Sequence, residues 1–521
     1  MPSKPQTSFI KSLSLWLLLG VLTGCATALE PVEHDPVLAK ANGSVPDSFF
    51  TKQAEKHLSA NLPETGFLLL NTGRDAFMVR AALIESANQS IDAQYYIWND
   101  DSSGRYLAGR LLAAAERGVN VRLLLDDINV AGKESLFAVL NGHPNIHVRI
   151  FNPARSRSGA GRFLSLILDF DRINRRMHNK TFVADGYAGI AGGRNIGDEY
   201  FDEHPELNFR DRDVMALGPV AGHMTDNFIA YWNSQWSYPL EQIYQPQPPE
   251  LAASARSRLI NETAQAQAFK AIPPQGREAA NTLLEERFAD LIQAPAKLVY
   301  DVPPKDPEAP ADTPKLTAQA LYGLVTEAEK EILVESAYFV LADEQLSDLR
   351  EVVKPGLSIL AITNSLASND LVTNHSAYAR WREEMLESGI ELYELRPDAK
   401  DCKAWVVNQA ACDNGAVSLH SKAVVFDQST LFVGSLNVNL RSIYLNGETV
   451  LIIQSPEMAK AVSDDIRRSM TPENSWQVTL DESGDLLWQS AGQQVDHEPD
   501  VGFWRRTKSR FLSWLPLEKY L

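Results

Sequence analysis

The segment His178-Asn179-Lys180-Thr181-Phe182-Val183-Ala184-Asp185 returns later in the chain as His420-Ser421-Lys422-Ala423-Val424-Val425-Phe426-Asp427. Both copies read histidine, any residue, lysine, a short apolar run and aspartate. At average charged-residue frequencies a given histidine opens this pattern roughly once in 300, and the chain has only ten histidines. The agreement extends outward. Asn195 follows its histidine by 17 positions (195 − 178) and Asn437 follows its own by 17 (437 − 420), each behind a pair of small residues, Gly192-Gly193 or Gly434-Ser435. The runs Thr181 to Ala184 and Ala423 to Phe426 have strand composition, and strand alternation sends the histidine and lysine of each copy to one face. A turn at Asp185-Gly186 or Asp427-Gln428 then leads to a second strand ending in the small pair, where missing side chains let backbone approach a ligand.

The flanks repeat too. Ile91 to Trp98 is an aromatic and β-branched run that reads as a strand, with Tyr95, Tyr96 and Trp98 assigned to the core. A helix at 103–117 separates it from Val119 to Asp126, whose nearly continuous apolar character suits a strand buried on both faces. Strand, helix and strand recur at Glu331 to Val340 and Gly356 to Ile362, and Glu391 to Leu395 matches His147 to Phe151. A duplicated α/β fold follows. The expected division is a leader at 1–25, a tether at 26–45, a first half at 46–245, a Pro- and Ala-rich crossover with some helix at 246–320, a second half at 321–490 and an amphipathic end at 491–521.

Two imidazoles, two ammonium groups and two amides suit displacement at a phosphodiester. A neutral imidazole attacks phosphorus while a protonated one donates to the leaving oxygen. Lys180, Lys422, Asn195 and Asn437 hold the non-bridging oxygens. The candidate catalytic set is His178, Lys180 and Asp185 with His420, Lys422 and Asp427; the two aspartates are expected to support the turn and neighbouring cations rather than to touch phosphorus. No metal and no cofactor is called for.

The paired motifs resemble those of the phospholipase D superfamily over nearly all the chain after the tether. Arg175-Arg176-Met177 before His178, the run Gly192-Gly193-Arg194-Asn195-Ile196-Gly197-Asp198-Glu199-Tyr200-Phe201, and Thr363 to Asp370 are similar to the bacterial cardiolipin synthase branch, in particular its C-type members. The resemblance implies two α-β-α sandwich halves related by pseudo-twofold symmetry around one shared active site. It also implies a phosphohistidine, with His178 as the attacking residue, and transfer of a phosphatidyl group to the hydroxyl of phosphatidylglycerol. Phosphatidylethanolamine is a second candidate substrate, and phospholipid hydrolysis is the alternative reaction. Asp211 stands eight positions before Pro219 and Glu448 eight before Pro456. An acid at this place in the superfamily bonds an active-site histidine, which makes Asp211 and Glu448, with Ser435 beside them, the supporting residues.

A formal net charge of −18 disfavours nucleic acid as substrate. Lys4 and Lys11 precede the apolar stretch Leu13 to Val21, which is short for a membrane span. Leu22-Thr23-Gly24-Cys25 resembles a lipobox, implying acylation of Cys25 and a lipid-anchored protein of the bacterial envelope facing the periplasm; Ala26 after the cysteine accompanies outer-membrane sorting. In that oxidising compartment Cys402 and Cys412 could close a small loop. The stretch Phe503 to Trp514 mixes Arg505, Arg506, Lys508 and Arg510 with large apolar groups, which fits a helix on a membrane surface or a terminal helix packed on the body. No protein partner is indicated.

Overall fold

Runs such as Val121 to Leu125 are apolar on both strand faces and require a sheet covered on both sides. The computed structural model, which describes residues 35, 38–154, 169–244, 248–265, 276–306, 309–406, 409–414, 417–515 and 518–520, builds two such sheets. Cys25, the leader and most of the tether lie outside the described residues.

The first sheet has nine strands in the order β10-β1-β8-β6-β5-β2-β3-β4-β9. These are β1 (Gly66–Leu70), β2 (Ser90–Tyr95), β3 (Asn120–Asp126), β4 (Ile146–Phe151), β5 (Thr181–Ala184), β6 (Ala188–Gly192), β8 (Asp213–Leu217), β9 (Ser237–Pro239) and β10 (Ile292–Gln293). The second has ten in the order β11-β18-β17-β16-β12-β13-β14-β19-β20-β21. Its members are β11 (Ala296–Tyr300), β12 (Glu331–Ser336), β13 (Ser358–Asn364), β14 (Ile390–Leu395), β16 (Lys422–Phe426), β17 (Thr430–Gly434), β18 (Thr449–Gln454), β19 (Ser475–Leu480), β20 (Leu486–Ser490) and β21 (Gln493–Val495). In both, three parallel strands (β2-β3-β4, β12-β13-β14) adjoin an antiparallel hairpin (β5-β6, β16-β17) that carries the repeated motif. The duplication expected from the motif spacing is therefore a duplication of sheet topology.

The halves share one core. Val183 and Val214 of the first sheet, Val425, Val433 and Leu451 of the second, and Met224 and Met458 from the helices Pro219–Trp232 and Pro456–Ser469 form a single buried cluster. The outer faces are closed by separate clusters, including helices Gly73–Ser86 and Ser102–Glu116 in the first half and Val372–Glu387 in the second.

The expected crossover at 246–320 is largely structured. Helix Pro249–Gln265 lies so close to Ser102–Glu116 that a Cβ at Gly109 would collide with Thr263, and helix Arg277–Phe288 buries Leu284 and Phe288 in the first core. β10 and β11 then join different sheets, so the chain changes halves at Ala294-Pro295. A few well-spaced apolar residues suffice to dock these helices. The second sheet also continues past residue 490 to Val495.

A third pairing, parallel and two-stranded, joins β7 (Asn208–Arg210) of the first half to β15 (Val417–Leu419) of the second. Arg210 and Arg212 on either side of Asp211 reach into the second half. Arg212 Nε lies 2.6 Å from Glu335 and Arg210 2.8 Å from Asp465, and both arginines also contact the other's acid. Cys402 and Cys412 are bonded as a disulfide, with Cα atoms 5.7 Å apart, and the loop they close sets Trp405 under the Arg210 guanidinium at 4.3 Å. Because Arg212 and Glu335 are fully enclosed, Arg212→Ala removes the nearer of the two guanidiniums paired with a buried carboxylate and leaves it the longer contact to Arg210 at 3.2 Å. The expected loss of unfolding free energy is about 3–5 kcal/mol, readable from urea denaturation curves.

Candidate active site

Each histidine enters the site through a parallel pairing between halves. Met177 bridges Gly447, the His178 N–H donates to Gly447 O at 2.8 Å, and the Gly447 N–H donates to Arg176 O at 2.8 Å. One residue further in this register, His178 Nδ1 meets Glu448 Oε2 at 2.8 Å. Glycine is required at 447, because a Cβ there would collide with the Tyr231 hydroxyl. The other crossing repeats the geometry. Leu419 pairs with Arg210, the His420 N–H donates to Arg210 O at 2.8 Å, and one residue on, His420 Nδ1 meets Asp211 Oδ2 at 2.6 Å. The sequence paired acids with histidines without saying which served which; each carboxylate serves the histidine of the other half.

The two acids are held differently. Glu448 accepts from the Ser435 hydroxyl at 2.5 Å, the Ser442 hydroxyl at 2.8 Å and the Asn446 amide at 3.2 Å. Asp211 accepts from the Arg212 backbone N–H at 2.7 Å. Gly193 occupies the place that Ser435 has in the second copy, and a Cβ there would strike the Asp211 carboxylate. With Nδ1 bonded to a carboxylate, each ring is set to present Nε2 to the cavity that both histidines line. That cavity measures about 360 Å³ and lies where the two sheets' motif hairpins converge.

Lys180 Nζ donates to His178 O at 2.6 Å; Lys422 Nζ donates to His420 O and lies 3.1 Å from His420 Nδ1. All four groups are buried. Burial lowers the His178 and His420 pKa values to about 4, with the nearby lysine charges acting in the same direction and the paired carboxylates opposing. Burial likewise lowers Lys180 to about 7 and Lys422 to about 8. For Asp211 and Glu448 burial acts upward, but the bonded histidine and nearby lysines outweigh it and hold both carboxyls below their usual range. The site thus combines two neutral imidazoles that line one cavity with a buried lysine bonded to the backbone carbonyl of each, which suits a nucleophile and a proton donor facing one anionic group.

Asn195 and Asn437 both line the cavity. Asn195 is partly committed to the protein: its Oδ1 accepts from the Ile97 N–H at 3.1 Å and its Nδ2 donates to the Tyr200 hydroxyl at 3.0 Å. One N–H remains for a ligand.

Asp185 and Asp427 do not join the catalytic set to which their motif membership assigned them. They sit at the far ends of β5 and β16, with positive φ of 50° and 49°, and accept backbone N–H groups at the starts of β2 and β12: Asn88, Gln89 and Ser90 for Asp185, and Glu329, Lys330 and Glu331 for Asp427. Their bonded partners are these amides rather than the cations expected. The motif is conserved in spacing between the copies because one hairpin strand connects its two ends, histidine at the site and aspartate as a clamp about 20 Å away at strand rise.

Several cavity residues escaped the sequence reading. Tyr96, assigned to the core, packs its ring edge-on to His178 with centroids 4.9 Å apart. Tyr200 does the same to His420 at 5.2 Å. Arg441 and Tyr520 line the cavity together, the Arg441 guanidinium donating to Tyr520 O at 2.6 Å. The aromatic run around Tyr96 was a signal of sorts, but one that core packing produces equally well. Nothing local marks Tyr520, next to last in the chain.

A family model described as "Cardiolipin synthase, PLD-like domain" matches residues 81–232 and 321–470. Cardiolipin synthase C of Escherichia coli is 38% identical over 461 residues, spanning 87% of this chain and 96% of that protein. An uncharacterised protein of Helicobacter pylori is 31% identical over 473 residues, 88% of this chain and 90% of its own length. Among solved structures, phosphatidylserine synthase of Haemophilus influenzae matches 90% of this chain and 100% of its own with a TM-score of 0.57; at 14% identity the likeness is one of fold.

The assignment of Asp185 as a clamp has a direct test. Asp185→Ala removes the acceptor for three amides and is expected to cost about 1–3 kcal/mol of stability, seen as a lower denaturation midpoint, while activity per folded molecule stays near wild type.

Proposed function

We propose, since the chain belongs to the cardiolipin synthase family of the phospholipase D superfamily, that it is a phosphatidyltransferase that joins two phospholipids into cardiolipin. The observation that carries this reading is the pair of imidazoles, one from each half, lining a single cavity with a carboxylate behind each. In the first step His178 Nε2 attacks the phosphorus of phosphatidylglycerol. The bond from phosphorus to the glycerol headgroup oxygen breaks, and protonated His420 gives its proton to the departing glycerol. A phosphatidyl-histidine results. In the second step His420 takes the proton from a hydroxyl of another phosphatidylglycerol, that oxygen attacks phosphorus, and the bond to His178 breaks, releasing cardiolipin. Two phosphatidylglycerols thus become cardiolipin and glycerol. Phosphatidylethanolamine as donor would release ethanolamine instead.

The burial that keeps both imidazoles neutral favours the attacking role of His178. An anionic phosphodiester in the cavity favours the protonated form of His420, which the acid role needs. Glu448 and Asp211 keep each ring oriented and offset the charge it acquires. Lys180 and Lys422 supply positive charge to the non-bridging oxygens as charge builds in the transition state, and Asn195 and Asn437 offer amide N–H groups to the same oxygens. The lipobox setting of Cys25 supports acylation there and attachment to an envelope membrane facing the periplasm. No described helix is long and apolar enough to cross a membrane.

Purified protein given labelled phosphatidylglycerol is expected to form cardiolipin and free glycerol, and a rapid denaturing quench at neutral pH should trap the labelled phosphatidyl group on a peptide containing His178. His178→Ala should abolish turnover. Phosphatidic acid as the sole lipid product would reject the transfer reading in favour of hydrolysis, and phosphate trapped at His420 would exchange the two histidine roles.

The pH dependence has a defined sign. Lowered lysine values mean that ammonium charge is lost as pH rises through about 7 and 8 rather than near the ordinary lysine range. The expected kcat/KM falls above about pH 7–8, as the two ammonium charges that face the phosphate's oxygens are lost. A profile flat to pH 10 would contradict this.

A further inference from the structure

We infer that the helix Phe503–Leu512 and the turn after it form the surface by which the cavity mouth docks on an anionic lipid bilayer. Four large side chains there face solvent: Phe503 at 69% exposure, Trp504 at 80%, Phe511 at 61% and Trp514 at 70%. Such a concentration at one edge is unusual for a surface that meets only water. The same helix carries Arg505, Arg506, Lys508 and Arg510 and no acidic residue, in a chain whose net charge is −18. Aromatic rings interleaved with cations suit the headgroup layer of an anionic membrane, where rings enter the acyl boundary and cations meet phosphates.

The helix is not a loose end. Arg505 donates to Asn369 O at 2.6 Å and Arg506 to Glu498 O at 2.8 Å, and Ser509 is buried against Ser376 of the helix Val372–Glu387. These contacts fix which side faces outward. They also tie the patch to the active site, because Asn369 is followed by Asp370 and Leu371, which line the catalytic cavity. Leu371 is itself 48% exposed, as is Ile128 at 43% on the cavity wall contributed by the first half. Beyond the helix the chain returns to place Tyr520 in the cavity lining. The apolar, basic helix is therefore bonded to the segment that lines the cavity, and docking it on a bilayer brings lipid headgroups towards that cavity. The inference deepens the proposed lipid transfer and rests on that reading for its purpose; its binding measurement does not depend on turnover.

The test uses the full chain and vesicles of phosphatidylglycerol and phosphatidylethanolamine, with brominated acyl chains as quenchers. Tryptophan emission should be quenched, and the Trp504→Ser, Trp514→Ser double variant should lose most of that quenching. The same variant should turn over vesicle phosphatidylglycerol at least tenfold more slowly than wild type while keeping its rate on a short-chain, monomeric phosphatidylglycerol. Lys508→Gln with Arg510→Gln should weaken quenching on these vesicles and leave it unchanged on phosphatidylcholine vesicles. Unquenched Trp504 and Trp514, or equal loss of rate on vesicle and monomeric substrate, overturns the inference. So does a wild-type dimer in sedimentation that the tryptophan substitutions dissociate, since a second copy would then be the occupant. Quenching without transferase activity on either substrate leaves the docking surface standing and rejects the proposed reaction instead.

Discussion

Two short hydrogen bonds that cross between the halves, His178 to Glu448 and His420 to Asp211, organise the molecule's chemistry. Neither half is complete alone. Each supplies an imidazole that needs a carboxylate behind it, and a carboxylate whose burial is tolerable only when a donor faces it. The parallel contacts at Met177 with Gly447 and at Leu419 with Arg210 set the register, so imidazole and carboxylate arrive opposite one another as the next residues in line. The arginines flanking Asp211 extend this logic: by pairing with Glu335 and Asp465 they hold the strand that carries the acid against the half that uses it.

The pseudo-symmetry is broken where it matters for the acids. Glu448 is longer than Asp211 by one methylene and is surrounded by side-chain donors from Ser435, Ser442 and Asn446. Asp211 sits over Gly193, with no room for a side chain at that position, and takes a backbone N–H. Length of acid and size of the residue beneath it vary together, so the two carboxylates reach equivalent ring nitrogens by different routes. Exchanging a single member of either pair would leave a gap or a clash.

Much of this was readable in the chain because it rests on local periodicity. The motif hairpin, the three parallel strands beside it and their repetition follow from alternation, apolar runs and matched spacing, though β2 ends at Tyr95 and β12 at Ser336, short of the expected ends at Trp98 and Val340. The aspartate end of the motif was expected to support the turn, but its bonding partners were not legible. His178 and Asp185 belong to one spacing pattern yet serve different ends of a strand, and only the backbone amides of Asn88, Gln89 and Ser90 reveal the aspartate as a clamp. Which core the helices of the crossover would join was not legible, because their apolar positions are sparse and their partners lie far away in sequence.

The sequence by itself determined the repeated unit, the chemical groups of the site and the carboxylates assigned to support them, because those depend on residue type and spacing along one strand. Tertiary structure alone decided which carboxylate faces which imidazole, that Tyr96 and Tyr520 border the cavity, and that the basic, aromatic C-terminal helix is bonded to a segment that lines it. Those facts arise from contacts between segments 79 to 270 residues apart, where the register of one half on the other is chosen by packing and buried charge rather than by any local pattern.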